Sequence, residues 1–318
     1  MGLMRRRDWM VASAGALAPL GCSRRPTAGE RPRVSILRAS GYTQSLYETI
    51  RWILAEHSLA VRGKRVLLKP NLVEFDPGTA INTHPLVVHA ALEAFRALGA
   101  AEVRIAEGPG HRRGTLDQAE AAGYFATIPQ FEDLFTDLNL DEISRIRLSK
   151  PQSRLDALYL PRTALSADLL VSLPKMKTHH WVGATLGMKN LFGVVPGGIY
   201  GWPKNILHWA GIHESIADLH RLFGRVFTIV DGIVGMEGNG PIQGRPKPAG
   251  VIVAGSDPVA VDATCCRIMR IDPAKVRYLE LTESLGQTRE ENVEQIGEPI
   301  RSVQTAFELL PEFAPLRL

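Results

Sequence analysis

Asp168-Leu169-Leu170-Val171-Ser172-Leu173-Pro174-Lys175-Met176-Lys177-Thr178-His179-His180 joins a short apolar run to a string of polar and cationic residues. The run from Asp168 to Leu173 has the length and the Leu/Val content of a buried strand. A strand that stops at proline and then presents lysine, lysine, threonine and histidine places cations and hydroxyls at the rim of a sheet. Open α/β folds build their ligand sites at that rim. The polar character persists through Ala184-Thr185, Met188-Lys189-Asn190, Gly193 and Pro196-Gly197-Gly198.

On the N-terminal side the pattern alternates. Val34 to Leu37 reads as a strand, and Gln44 to Leu59 carries the helical stripe Leu46, Ile50, Ile53, Leu54. Arg65 to Leu68 is the next strand and ends in Lys69-Pro70-Asn71. Thr83-His84-Pro85 opens a helix to about Leu98, with proline in its first turn and Gly99 at its end. Glu102 to Ala106 is again a strand, followed by Gly108-Pro109-Gly110-His111-Arg112-Arg113-Gly114. That segment misses the dinucleotide fingerprint because Arg113 stands where glycine is required, so it reads as a tight strand-to-helix connection. On the C-terminal side the spacing predicts a short helix over Val182 to Leu191 and one helix over Asn205 to Phe223. It predicts a strand over Val226 to Val230, a glycine-rich closing loop over Asp231 to Gly244, a strand over Val251 to Ala254, and a helix capped by Asp257-Pro258. Residues 34–318 therefore read as an α/β domain, with a mixed or mostly parallel sheet flanked by helices, in one unit or two lobes.

Residues 1–22 read as an export signal. Arg6-Arg7-Asp8-Trp9-Met10 resembles the twin-arginine pattern, and the weakly apolar run Val11 to Leu20 follows it. The run is too short for a permanent membrane span. Leu20-Gly21-Cys22 resembles a lipoprotein cleavage box with Cys22 as the lipidated residue, and residues 23–33 read as a flexible tether. The expected partners of this segment are the twin-arginine translocation machinery and, through signal or lipid anchor alone, a membrane. The expected location is the periplasm or the outer face of the cell envelope.

Removing residues before Cys22 takes away Arg5, Arg6, Arg7 and Asp8, so the net charge of +4 falls to 34 basic against 32 acidic residues, or +2. No basic patch with interleaved aromatics remains, which argues against nucleic acid. Past Cys22 the only cysteines are the adjacent Cys265 and Cys266, which cannot ligate an iron–sulfur cluster of the chain's own.

The segments Leu68-Lys69-Pro70-Asn71-Leu72, Thr83-His84-Pro85, Ala167-Asp168, Leu173 to His179, Lys189-Asn190-Leu191-Phe192-Gly193, Asp231-Gly232, Met236-Glu237-Gly238-Asn239-Gly240-Pro241 and Ser256-Asp257-Pro258-Val259-Ala260-Val261-Asp262 run in a recognisable order. In this they resemble the family of the domain of unknown function 362. The resemblance extends from about Val34 to Asp272 and implies bacterial and archaeal proteins found alone or fused to a ferredoxin-like iron–sulfur module. No such module stands in this chain, and the family implies no single reaction.

Strand ends carrying Lys69 and Asn71, Lys175 and Lys177, Asp231, and Ser256 with Asp257 are expected to converge on one crevice. Lysines there suit a carboxylate or phosphate, and a buried lysine can act as base or nucleophile. The expected catalytic residues are Lys175, Lys177, Asp231 and Glu237. Lys69, Asn71, Thr83, Thr178, Lys189, Asn190, Gly193, Gly238, Gly240 and Ser256 are the expected ligand-binding set. Asp231, Glu237, Asp257 and His179 form a candidate set for a divalent metal such as magnesium. His213 and His220 sit roughly 10 Å apart along a helix, too far for one ion, and His213-Glu214 lacks the second histidine of a zinc-protease motif. These residues point to an exported, cofactor- or metal-dependent enzyme, redox-linked or not, acting on a small anionic molecule. The alternatives are a non-catalytic periplasmic binder, and an accessory subunit of an iron–sulfur redox complex with a redox partner.

Overall fold

A computed structural model of the chain describes residues 31–110 and 113–318. The twin-arginine pattern, Cys22, most of the 23–33 tether, His111 and Arg112 lie outside them. Strands β1 (Arg33–Arg38), β2 (Arg65–Pro70), β3 (Glu102–Glu107) and β4 (Phe135–Asp137) come first, followed by a two-stranded ribbon of β5 (Ile143–Arg147) and β6 (Ala157–Pro161). Then come β7 (Leu169–Leu173), β8 (Lys175–His179), β9 (Gly183–Thr185), β10 (Val226–Glu237), β11 (Arg245–Gly255) and β12 (Glu294–Gly297).

The main sheet has ten strands along the order β12-β1-β11-β10-β7-β2-β3-β4, with β8 beside the far half of β10 and β9 beside β8. Most pairings are parallel, and β1–β11, β10–β11 and β8–β9 are antiparallel. The architecture is thus α/β with a mixed, mostly parallel sheet flanked by helices. Alternate strand residues enter opposite cores, as a period of two requires. Val66, Leu68, Val171, Ile229 and Ile252 pack with the helices Leu46–Glu56 and Pro85–Ala97. Leu67, Leu170, Val230 and Val253 pack with the helices Ile212–Phe223 and Pro258–Ile268. Burial on both faces explains why these strands are continuous apolar runs.

Two expectations are corrected. The segment Asn205 to Phe223 is two helices, Asn205–Trp209 and Ile212–Phe223, because Gly211 adopts φ +107 between them and breaks the hydrogen-bond ladder. The first half of the glycine-rich loop from Asp231 is strand: β10 runs to Glu237, and residues 238–244 turn. Glycine serves there for close approach, since a Cβ at Gly235 would lie 2.6 Å from the Met176 carbonyl oxygen.

The same hairpin moves one group of candidates. Antiparallel pairing sets Gly255 opposite Thr228, in the same row as Ser172 and Lys69, but β11 runs the other way, so Ser256 and Asp257 leave the sheet heading towards the N-terminal ends of β7 and β2, away from Lys175.

Candidate functional site

Three parallel strands deliver their C-terminal ends to one edge. Register places Lys69 opposite Ser172 and Pro70 opposite Leu173, while Glu107 ends the neighbouring β3. Pro174 interrupts the line, and β8 continues beside β10 with Lys175 opposite Asp231. Alternation turns Lys175 and Lys177 to one face and Met176 to the core.

Two of the lysines form buried ion pairs. Lys69 Nζ donates to Glu107 Oε2 at 2.6 Å, to the Pro70 carbonyl at 2.9 Å and to Asn190 Oδ1 at 3.2 Å. Glu107 also accepts from the backbone amides of Leu72 and Gly108. Lys175 Nζ donates to Asp231 Oδ2 at 2.6 Å and to the Tyr42 hydroxyl at 2.9 Å. Tyr42 donates to Asp231 Oδ1, its ring stacks on His84 at 3.7 Å, and the His84 amide donates to Asp231 Oδ2. Burial lowers the pKa of both lysines while their carboxylates oppose the shift.

Beside these pairs lies a cavity of about 360 Å³. It is lined by Lys177, Lys189, Lys204, Asn71, His179 and Phe192, among others, and Trp181 with His208 also lines it. An ammonium has three donors. Lys204 spends all three, on the carbonyls of Gly108, Phe192 and Val195. Lys177 spends two, on the carbonyls of Ile81 at 2.9 Å and Pro241 at 3.4 Å. The Lys189 side chain has no hydrogen bond or ion pair among the described residues, and its nitrogen lies 3.7 Å from the centre of the Phe192 ring. Burial, reinforced by Lys69, holds the Lys189 amine at about 7, and burial brings Lys204 to about 7 as well. Lys177 falls well below the usual lysine range through burial and its lysine neighbours. His179 and His208 are likewise held neutral by burial, the latter at about 4. Two buried polar atoms that belong to cavity residues, Asn71 Oδ1 and Thr185 Oγ1, have no partner among the described residues.

The turn Gly187–Asn190 carries both Lys189 and Asn190. It is held at its start by the buried Asp262, which accepts from the Gly187 amide at 2.7 Å and the Met188 amide at 3.1 Å.

The structure brings Lys177, Lys189, Asn190, Gly193, Asn71 and His179 to the cavity wall. Lys69, Lys175 and Asp231 stand in the adjoining ion pairs and do not line it. Thr83 and Thr178 are structural ties: Thr83 Oγ1 donates to the Leu173 carbonyl, and Thr178 Oγ1 donates to the Gly238 carbonyl. Gly238 and Gly240 shape the turn between β10 and β11, whose Asn239 and Pro241 reach the cavity. Ser256 is exposed away from it.

The metal candidates are not brought together. Glu237 binds Lys247 and Arg245 and accepts from the Glu308 amide, while Asp257 caps its helix and accepts from the Gln287 amide. Among the described residues no group of three or more His, Cys, Asp or Glu side chains is placed to hold a metal ion. Sequence reasoning missed Glu107, Lys204 and Tyr42, and placed Thr185 in the polar stretch without giving it a role. Of the three missed, only Glu107 carried a signal, an acidic residue closing an otherwise apolar strand.

A family profile described as "Domain of unknown function (DUF362)" matches residues 66–267, most of the folded unit. The chain belongs to the DUF362 family. This DUF362 chain is 32% identical over 266 residues, 80% of its length and 79% of the relative's, to the thylakoid-associated protein sll1697 of Synechocystis sp.. Among solved structures it is similar to the lactate racemase apoprotein from Thermoanaerobacterium thermosaccharolyticum, with 13% identity and a TM-score of 0.46. That match covers 75% of this DUF362 chain and 57% of the racemase chain.

Proposed function

We propose that this protein is an enzyme that binds a small carboxylate or phosphate in the cavity at the C-terminal edge of its sheet, through Lys177 and Lys189. The observation that supports it is one cavity lined by two buried lysines without an ion pair for either, the Glu107 carboxylate on its wall being held by Lys69, beside the unpartnered Asn71 Oδ1 and Thr185 Oγ1. Buried polar groups are nearly always satisfied, so such a set favours a ligand that completes them. Turnover is favoured over storage because an amine near 7 exchanges its proton at neutral pH, where general acid–base chemistry is most effective.

Thermal unfolding with a panel of carboxylates and phosphates tests the reading. A ligand at a hundred times its Kd adds about 2.7 kcal/mol, or roughly 5 °C for a chain of this size. Lys177→Met and Lys189→Met should each remove most of that shift. If no anion stabilises the wild type more than the double variant, the reading falls. Stabilisation without turnover of any bound anion would make the protein a binder.

The proposed place of work is the outer face of the cell envelope, supported by Arg6-Arg7 and the run that follows. Replacing both arginines with lysine should strand the protein in the cytoplasm, and undiminished export would remove this part of the proposal. The similar Synechocystis protein is, by name, thylakoid-associated.

A further inference from the structure

Five buried lysines gather at this sheet edge, and counting their partners separates their roles. Lys69 and Lys175 are neutralised by Glu107 and Asp231. Lys204 is saturated by three carbonyls and holds the strand-to-helix connection after β3 against the segment 192–195. Lys177 keeps one donor in reserve. Lys189 alone of the five has no oxygen acceptor among the described residues; it lies over an aromatic ring and lines the cavity.

A charged ammonium in that position forgoes its hydrogen bonds, whereas a neutral amine presents a lone pair at little cost. The neighbouring cationic Lys69 favours the neutral form further, as cationic neighbours do for amine nucleophiles. We propose that Lys189 captures the carbonyl carbon of a small oxo-acid as an imine, with Lys177 holding the acid's carboxylate. The inference rests on the anion-binding reading above and deepens it by naming the substrate class.

The step balances without any co-reactant. The Lys189 nitrogen bonds to the carbonyl carbon, and the π electrons pass to the oxygen. The two amine hydrogens then leave with that oxygen as water, and the C=N bond remains. His179 lines the same cavity. Its Nδ1 accepts from the Trp181 amide at 3.0 Å, so its neutral ring keeps a proton on Nε2, a donor for the departing oxygen.

The test is reductive trapping on the full-length protein with pyruvate and, separately, glyoxylate, in the presence of sodium borohydride. Intact mass should rise by the mass of the probe less one oxygen atom, and peptide mapping should place the adduct on Lys189. Lactate, which has no ketone or aldehyde carbonyl, should give none. Lys189→Arg should abolish the adduct, and the mapping of the wild type gives the same answer should that variant fold poorly. Trapping should strengthen between pH 6 and pH 8 as the amine loses its proton. If pyruvate raises the unfolding temperature but labels only scattered surface lysines, the imine is refuted and the anion site stands. If pyruvate neither stabilises nor labels, and other carboxylates and phosphates do not stabilise either, both readings fall.

Discussion

Asp231→Asn provides the sharpest test of the site's architecture. In the wild type Asp231 accepts from Lys175 at 2.6 Å, from Tyr42 at 3.0 Å and from the His84 amide at 3.0 Å, and its side chain is 0% exposed against 2% for Lys175. Asparagine keeps one acceptor oxygen, enough for Tyr42 or the His84 amide but not both, and leaves the Lys175 ammonium buried without its counter-charge. Breaking one side of a buried pair costs about 3–5 kcal/mol. At ~2 °C per kcal/mol for a domain of nearly three hundred residues, this is a fall of about 6–10 °C in Tm. Pairing it with Lys175→Met removes both charges while retaining the acceptor, and should recover more than half of the loss because the desolvation penalty leaves with the lysine. Urea unfolding of the wild type, both singles and the double gives the coupling energy directly. A single variant that loses less than ~1 kcal/mol, the scale of an exposed pair, would refute the buried ion pair.

Gly193→Ala should cost more than about 2 kcal/mol and suppress the anion-induced thermal shift. Its Cβ would fall onto Glu107 Oε1 and Lys69 Nζ, and overpacking against a buried ion pair cannot relax cheaply. Asp262→Ala should destabilise by about 1–3 kcal/mol by stranding the Gly187 and Met188 amides. Through the displaced turn it should also weaken any ligand held by Lys189, read as a loss of thermal shift beyond that of the unliganded protein. Stability of the unliganded protein should rise from pH 7 towards pH 10. Lys189 and Lys204 sit near 7 in the fold, against roughly 10.4 unfolded, so over that window the unfolded chain binds more protons. Lys189→Met should lessen the rise, Lys204 carrying the remainder, and urea unfolding with an unchanged slope would contradict it.

The reading of Lys175 and Lys177 as site residues needed only local information: an apolar strand, a proline, and two lysines spaced to share a face. The helix starts at His84-Pro85 and Asp257-Pro258 were legible for the same reason, since each cap is a contact between near neighbours in the chain. The grouping of Ser256 and Asp257 with Lys69 was not. It treated β11 as parallel to β7, whereas the turn at residues 238–244 reverses the chain, so that Ser256 and Asp257 head away from Lys175 and do not line the cavity. Glycines at 232 and 235 misled in the same way, because glycine serves a close strand approach as well as a turn, and only the neighbour's position distinguishes the two.

The order of short apolar runs and helical stripes by itself determined an α/β domain with cations at a sheet edge, because periodicity and capping act within a few residues. Tertiary structure alone decided which lysines are spent and which are free. Glu107 reaches Lys69 across 38 residues, and the carbonyl of Gly108 reaches Lys204 across 96. An ammonium's chemistry depends on what is left of its three donors and on how little water surrounds it, and both are set by side chains and carbonyls that only the folded chain brings within 3 Å or so.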